Sequence, residues 1–565
     1  MTFVEKIKQD RQEKFTKEEK TLFDIYSELY LESTPSESFE KLVKESVIEG
    51  EAWKINFMAY EIPQEKAEEI MKKHLKFIFL LLSLTSGLLA KSTPLIYLDN
   101  ELIYHYLDYQ INTGKNIPQF ALQQPFNISL LQLPDTSDKI NQYFLSRLIE
   151  FYGVKNTAVG IEHQGFIKKS DSWSYSYKFD FDFHYNSDLI SIGNRTRVDR
   201  NYNNDPYYAG DLSEASHWIY GRVNDAYLSL NFQRIGIFIG KTDRNWGPIG
   251  ENSLILSGNP YSYDHIMFNY TGRRMLLTAF FSQLENARGT EYNPDDSTCI
   301  FFQKVNRYLS GHRLDISISE RFQIGLTEMA IYGGENRNVE LAYLNPLTFY
   351  YGVQRNDNKG MSGLWALDIM FKPVQRVTLY GQFLIDDIIV NNDPGVNDRE
   401  RYPDRLGLLT SLRTGDLLFE GLNIDVSFVK IWNRTYQSLR SWENYHYRGL
   451  SLGYPIVSCE EFKIKLDYWS LFPFYFGNEL IFGKYGNASV TDMFYCIKEE
   501  FPIKPVTNNI ASIFSMQYFV NEKLNINLRY KYFKDADHYL NRYTDKSKST
   551  FYFGIDYLFS KGIEL

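Results

Sequence analysis

Three cysteines in 565 residues, Cys299, Cys459 and Cys496, are too few and too scattered for a disulfide framework or a zinc cage. A 299–459 or a 459–496 bridge is compatible with the sequence, which does not require either. Basic charge is not in excess: 61 Lys and Arg stand against 70 Asp and Glu, so the net charge of -9 excludes a nucleic-acid footprint. A mean hydropathy of -0.37 excludes a bundle of membrane-crossing helices. The P-loop, HExxH and GxSxG patterns are all missing, and the nine histidines form no ligand-like pair. No catalytic residue, metal or cofactor is therefore expected. The carboxylate pairs Asp386-Asp387 and Glu460-Glu461 read as solvated turn charges.

What is abundant is aromatic: 43 Tyr, 41 Phe and 8 Trp. A transmembrane β-barrel uses such rings, with Tyr and Trp at the lipid–water boundaries and Phe in the lipid-facing band.

Residues 71–92 have the layout of an export signal. Met71-Lys72-Lys73-His74-Leu75-Lys76 is basic, Phe77 to Ala90 is apolar, and Ala90-Lys91-Ser92 is a small-x-small cleavage pattern. The competing reading of the apolar run is a buried core helix. Residues 1–70 hold 10 basic and 17 acidic residues and read as a charged, mostly helical extension, Val4 to Tyr30 for example. The preferred explanation is an overcalled start, with Met71 as the true first residue; a genuine extension is the alternative.

Residues 93–152 read as a small periplasmic helical unit. Leu102, Ile103, Tyr106 and Leu107 fall at helical spacing in a helix that ends near Gly114. Ile140, Phe144, Leu145, Leu148 and Ile149 form a second apolar stripe, with Ser137 or Asp138 as its cap. From residue 153 to 565 the period is 2. Between Trp173 and Asn186 every odd residue is aromatic, and every even one is Ser, Lys, Asp, His or Asn. A soluble sandwich could hide one such aromatic face. The alternation returns at Trp365–Phe371, Val377–Ile385, Leu422–Phe428, Leu524–Tyr532 and Phe551–Phe559. Short turns near 233–234, 320–321, 372–376 and 521–523 contrast with longer connections at 241–262, 284–311, 387–405 and 475–508. Short periplasmic turns and long external loops are the asymmetry of an outer-membrane barrel. The fold class is thus all-β, an antiparallel transmembrane barrel of about 18 strands. The stretch 338–353 disturbs the alternation, because Asn345-Pro346 could break a strand in two.

The most distinctive loop is Lys241 to Gly250, on the long-loop side. Trp246 offers a flat face to the C–H surface of a sugar ring, and Asp243, Arg244 and Asn245 offer hydrogen bonds to hydroxyls or acidic sugars. Asp243, Arg244 and Trp246 are the candidate carbohydrate-binding residues. The alternative is that Trp246 and Pro248 fold the loop into the lumen as a structural constriction.

Arg244-Asn245-Trp246-Gly247-Pro248-Ile249-Gly250 followed by Ser253-Leu254-Ile255-Leu256-Ser257 resembles the R-x-W-G-P-G … LLLS stretch of the Wzi capsule-assembly family. Gly311 to Leu314, Gly325 to Glu328 and Glu340 to Tyr350 are similar to that family's later motifs, in the same order. Tyr104 to Gly114 with Gln124-Pro125-Phe126 resembles its N-terminal helical unit. The resemblance spans roughly 93–560. It departs at Ile249, where the family has the second Gly of W-G-P-G, and in the N-terminal extension. It implies an outer-membrane barrel of a diderm bacterium, with a periplasmic helical bundle and a lectin-like, non-catalytic role toward capsular or extracellular polysaccharide. The expected partners are that polysaccharide and outer-membrane lipid, with no nucleic acid, and the expected state is a monomer. A porin or sugar-uptake channel, lined by residues such as Lys178, Asp180 and Asp182, is the alternative on strand pattern alone. An outer-membrane enzyme would need a convergent nucleophile and base.

Overall fold

In the computed structural model, residues 94–128, 139–152, 157–170, 172–208, 210, 221–294, 296–388, 403–495, 499–534 and 549–563 are described. The extension, the export signal, Cys496 and the Ser137 and Asp138 caps lie outside them. Cys299 and Cys459 are not joined to one another.

Eighteen strands form the ring. They begin with β1 (Thr157–Lys169), β2 (Trp173–Asn186), β3 (Ile190–Asp199), β4 (Gly221–Phe232), β5 (Ile235–Lys241), β6 (Asp264–Thr271) and β7 (Met275–Gln283). There follow β8 (Thr298–Ser319), β9 (Phe322–Gly334), β10 (Ser362–Val374), β11 (Val377–Asp387), β12 (Arg405–Gly415) and β13 (Leu422–Ile431). The ring ends with β14 (Cys459–Tyr468), β15 (Phe474–Tyr485), β16 (Thr507–Phe519), β17 (Leu524–Phe533) and β18 (Ser549–Ile563). Neighbours in sequence pair antiparallel, and β18 closes on β1 from Thr157↔Ile563 to Lys169↔Phe551. Closure satisfies every edge, which lipid demands because it offers no hydrogen bonds. The sheet's nineteenth strand, Ala287–Asn293, pairs with the long-loop end of β8 and makes a single bridge, Glu291↔Arg440, on its other side.

The alternation sorts the two faces. On β2, Trp173, Phe181 and Phe183 are 62%, 45% and 39% exposed, whereas Asp180, Asp182 and His184 are buried. On β10, Leu367 and Phe371 face out while Asp368 and Met370 are buried, and Asn423, Asp425 and Ser427 of β13 are likewise enclosed.

Several features differ from the sequence reading. Residues 284–311 are largely a hairpin of strands, because Cys299 to Val305 continues β8 beyond the ring. The 475–508 connection begins only after Tyr485. At 338–353 there is no strand: α3 (Leu341–Leu344) and α4 (Tyr350–Asn356) flank Asn345-Pro346. The residue before a proline is disfavoured in the helical region, so the helix stops there. Asp386 and Glu461, read as solvated, are buried: Asp386 accepts from the Tyr436 amide at 2.7 Å and Glu461 from the Tyr485 hydroxyl at 2.6 Å. Consecutive strand residues face opposite sides, so one member of each pair turns inward.

Helices α1 (Glu101–Thr113) and α2 (Lys139–Tyr152) meet the ring at its short-turn end. Gly114 closes α1 with φ +77°, and its amide bonds back to Ile111 O at 3.0 Å. Gly415 lets the helix lie against the wall, since a Cβ there would come within 2.9 Å of Thr113 Cγ2. Tyr106 stacks on Phe144 at 4.6 Å, joining the two helices, and Trp469 meets both rings.

Candidate functional site

The loop 242–263 between β5 and β6 turns into the lumen. Asn245–Trp246 pairs antiparallel with Gln123–Gln124, giving the inward loop a two-residue sheet with the N-terminal segment. The Asn245 amide donates to Gln124 Oε1 at 2.7 Å, and Asn245 Oδ1 accepts from the Ser253 N–H at 2.9 Å. Across the lumen, Gln382 Nε2 donates to Trp246 O at 2.8 Å while its Oε1 accepts from the Leu254 N–H at 2.6 Å. Tyr436 and Tyr445, from the loop 432–458, donate their hydroxyls to Leu254 O and Ile255 O at 2.6 and 2.7 Å. The run Ser253–Ser257 is thus held by backbone groups it would otherwise leave unsatisfied.

Ion pairs lock the lumen further. Arg413 reaches Asp108 of α1 at 2.6 Å, Asp425 at 3.0 Å and Ile249 O at 2.7 Å. Arg313 bridges Asp315 at 2.7 Å and Asp368 at 2.5 Å, with all three buried. Arg195 joins Asp99 to Asp225, both at 2.6 Å. Buried charges tolerate this setting because each is paired and hydrogen-bonded.

The three residues singled out from the sequence sit in this loop. Trp246 is 1% exposed; Phe280 meets its ring edge-on at 5.9 Å, and Arg313 stands 6.0 Å from its centroid. Arg244 is buried, donates to His265 Nε2 at 2.9 Å and lies over Phe238 at 4.4 Å. Asp243 is half-buried. Burial, with Asp225 and Asp99 nearby, pushes its carboxyl up to about 7.

Where helices and loops leave space, a cavity of about 710 Å³ remains between the two helices and the wall formed by β1–β3 and β15–β18. Seven Lys and Arg line it against five Asp and Glu, so cations prevail. Toward the long-loop rim, Lys531 Nζ and Lys168 Nζ lie 5.4 and 5.9 Å from the centroid of the Tyr552 ring. Deeper, Arg197 pairs with Asp99 and Asp180, and Arg529 with Glu101 at 3.1 Å. Arg529 holds Glu101 down to about 2, and burial pulls His105 down to about 4, leaving its imidazole neutral. Among the described residues no group of three His, Cys, Asp or Glu is placed to hold a metal.

Of the cavity residues, sequence reasoning named Lys178, as a lining residue of the channel alternative. Lys168, Arg197 and Tyr552 were missed. The signal was there for Tyr552: it is an even-position ring in a strand whose odd positions face lipid, hence an aromatic turned inward.

Residues 152–469, more than half of the chain, match the family model described as capsule assembly protein Wzi. No curated protein matches. Among solved structures, the chain is similar to Wzi of Escherichia coli, described as a carbohydrate-binding β-barrel involved in group 1 capsule assembly. Identity there is 14%, the TM-score is 0.55, and 84% of this chain and 100% of that one are covered. OccK10 of Pseudomonas aeruginosa has a TM-score of 0.41 at 10% identity, covering 72% of this chain and 99% of that one. OccAB2 of Acinetobacter baumannii has 0.42 at 9%, covering 73% and 99%. The inward-folded Trp246 loop, the closed 18-strand ring and the family match lead to one conclusion: this chain is an outer-membrane β-barrel that belongs to the Wzi capsule assembly protein family.

Proposed function

We propose that this protein binds and organises capsular or extracellular polysaccharide at the cell surface, as a monomeric, lectin-like barrel without catalysis, and that its lumenal cavity takes an acidic stretch of that glycan. The observation that carries this reading is the Tyr552 ring with the Lys168 and Lys531 ammonium groups beside it. A sugar ring presents C–H groups that pack on an aromatic face, and its carboxylate pairs with the flanking cations. The clamped lumen argues against a wide pore. Asp243, Arg244 and Trp246 belong to the same proposal with divided labour. Half-buried Asp243 is the member a sugar hydroxyl would reach, while Arg244 and Trp246 hold the loop.

The test combines conductance in planar bilayers with retention of the organism's own surface polysaccharide. A closed barrel that retains the glycan, and loses several-fold retention on Tyr552→Ala or Lys531→Ala, supports the reading. Steady conductance blocked only by small sugars would replace it with a channel. Unchanged retention in a folded Trp246→Ala variant would remove Trp246 from the site.

A further inference from the structure

A carboxylate on the outward side of the ring, Glu328, is buried. On β8, Arg313 and Asp315 turn into the lumen, and on β9 Gln323 and Thr327 do the same. By alternation His312 and Glu328 face outward, on the side where Leu326 is 47% exposed. Glu328 faces His312 on one neighbour and Trp365 on the other. It lies six residues along β9 from Phe322, whose ring meets Phe371 at 5.8 Å near the short turns. At ~3.3 Å per residue and a tilt near 40°, that is roughly 15 Å up a lipid-facing band of about 25 Å. Yet Glu328 is only 3% exposed.

The connection between β9 and β10 covers it. Glu328 accepts hydrogen bonds from the Tyr350 N–H at 3.0 Å, the Tyr351 N–H at 3.1 Å and Trp365 Nε1 at 3.0 Å, and His312 Nε2 lies 3.1 Å away. Tyr343 is fully buried, stacked on Tyr332 at 4.4 Å and edge-on to Tyr350 at 5.7 Å. His312 meets Tyr350 at 4.6 Å. One face of the segment is therefore fastened to the outer wall of the barrel. The other face presents Leu341, Leu347 and Phe349, exposed by 82%, 83% and 62%. Phe349 and Tyr351 also flank Trp365, joining this apolar surface to the lipid-facing side chains of β10.

We propose that residues 338–357 are a lipid-binding strap, folded outward over the rim, whose Leu341, Leu347 and Phe349 insert among the acyl chains of the outer leaflet. Continuity with the lipid-facing band selects this occupant, since apolar side chains at that depth meet hydrocarbon, not water. Glu328 is the positioning residue: it would be costly in lipid when uncovered, and covering it requires the strap. The strap tethers the protein's rim to the outer leaflet.

The test uses the full chain refolded into phosphatidylcholine vesicles whose acyl chains are brominated or plain. In Leu347→Trp, the emission added over the parent is expected to be blue-shifted and at least two-fold weaker in brominated vesicles. Equal, red-shifted emission in both would place the segment in water and overturn the proposal. Blue-shifted but unquenched emission, with a dimer on sizing, would put a second copy on this face and overturn it as well. Adding Glu328→Leu should abolish most of the quenching while the barrel keeps its compact, heat-modifiable migration. Full quenching in that double variant would remove Glu328 from the device.

Discussion

Two long loops leave the same end of this barrel and fold in opposite directions. The 242–263 loop turns inward and the 335–361 loop turns outward, although both are rich in aromatic and apolar residues. Hydrophobicity does not separate them. The difference lies in where each loop's backbone finds partners. Inward, Gln382, Arg413, Tyr436 and Tyr445 supply acceptors and donors to Trp246, Ile249, Leu254 and Ile255. Outward, one carboxylate, Glu328, collects the Tyr350 and Tyr351 amides. An unsatisfied buried polar group costs more than a made hydrogen bond gains, so direction follows the polar anchors.

The comparison is broken most strongly at Arg413. Arg413→Leu strands Asp108 and Asp425 as buried charges, with an expected loss of about 3–5 kcal/mol in unfolding free energy. Urea titration of the barrel measures it, and an unchanged midpoint would mean that the ion pairs do not hold the inward loop. Gln382→Leu leaves the Leu254 N–H without a partner, at about 1–3 kcal/mol, and leaves Trp246 O with the Ser253 hydroxyl alone. Channel openings absent from the parent should then appear in planar bilayers. Glu328→Leu, which lets the strap's freed donors reach water, should lower the unfolding free energy by about 1–2 kcal/mol, less than the inward-loop variants. Its signature is trypsin cleavage after Arg337, Arg355 or Lys359, with Glu328→Gln cut more slowly. The smallest effect concerns Asp243. Its carboxyl is raised to about 7 by burial and by Asp225 and Asp99. A raised acid favours the folded state when protonated, so its contribution is complete below the ordinary carboxylate range near 4 and is lost as pH rises through 7. Stability should fall by about 1 kcal/mol from pH 6 to 8, water screening the half-exposed group. Asp243→Asn should flatten that slope.

Much of the architecture was legible because a strand's faces are local. Ring and charge on successive residues of Trp173–Asn186 separate the two faces, and the return of the pattern in later strands says which side is lipid. The short turns were legible for the same reason. The candidate-site residues were less so: Trp246 reads as an exposed platform in isolation, but Phe280 and Arg313, distant in sequence, enclose it. Tyr552 and Lys531 are unremarkable until the register of β17 and β18 sets them side by side.

The sequence by itself determined a closed, lipid-facing antiparallel barrel with polar residues inside, because residue periodicity and turn length are properties of short stretches of chain. Tertiary structure alone decided that loops and helices enter the lumen, that one long loop goes in and the other out, and that a cationic, ring-bearing cavity remains. Those outcomes depend on pairs such as Gln382 with Trp246 and Tyr436 with Leu254, 136 and 182 residues apart. A buried donor finds its acceptor by position in the folded ring, and proximity in the chain does not encode that position.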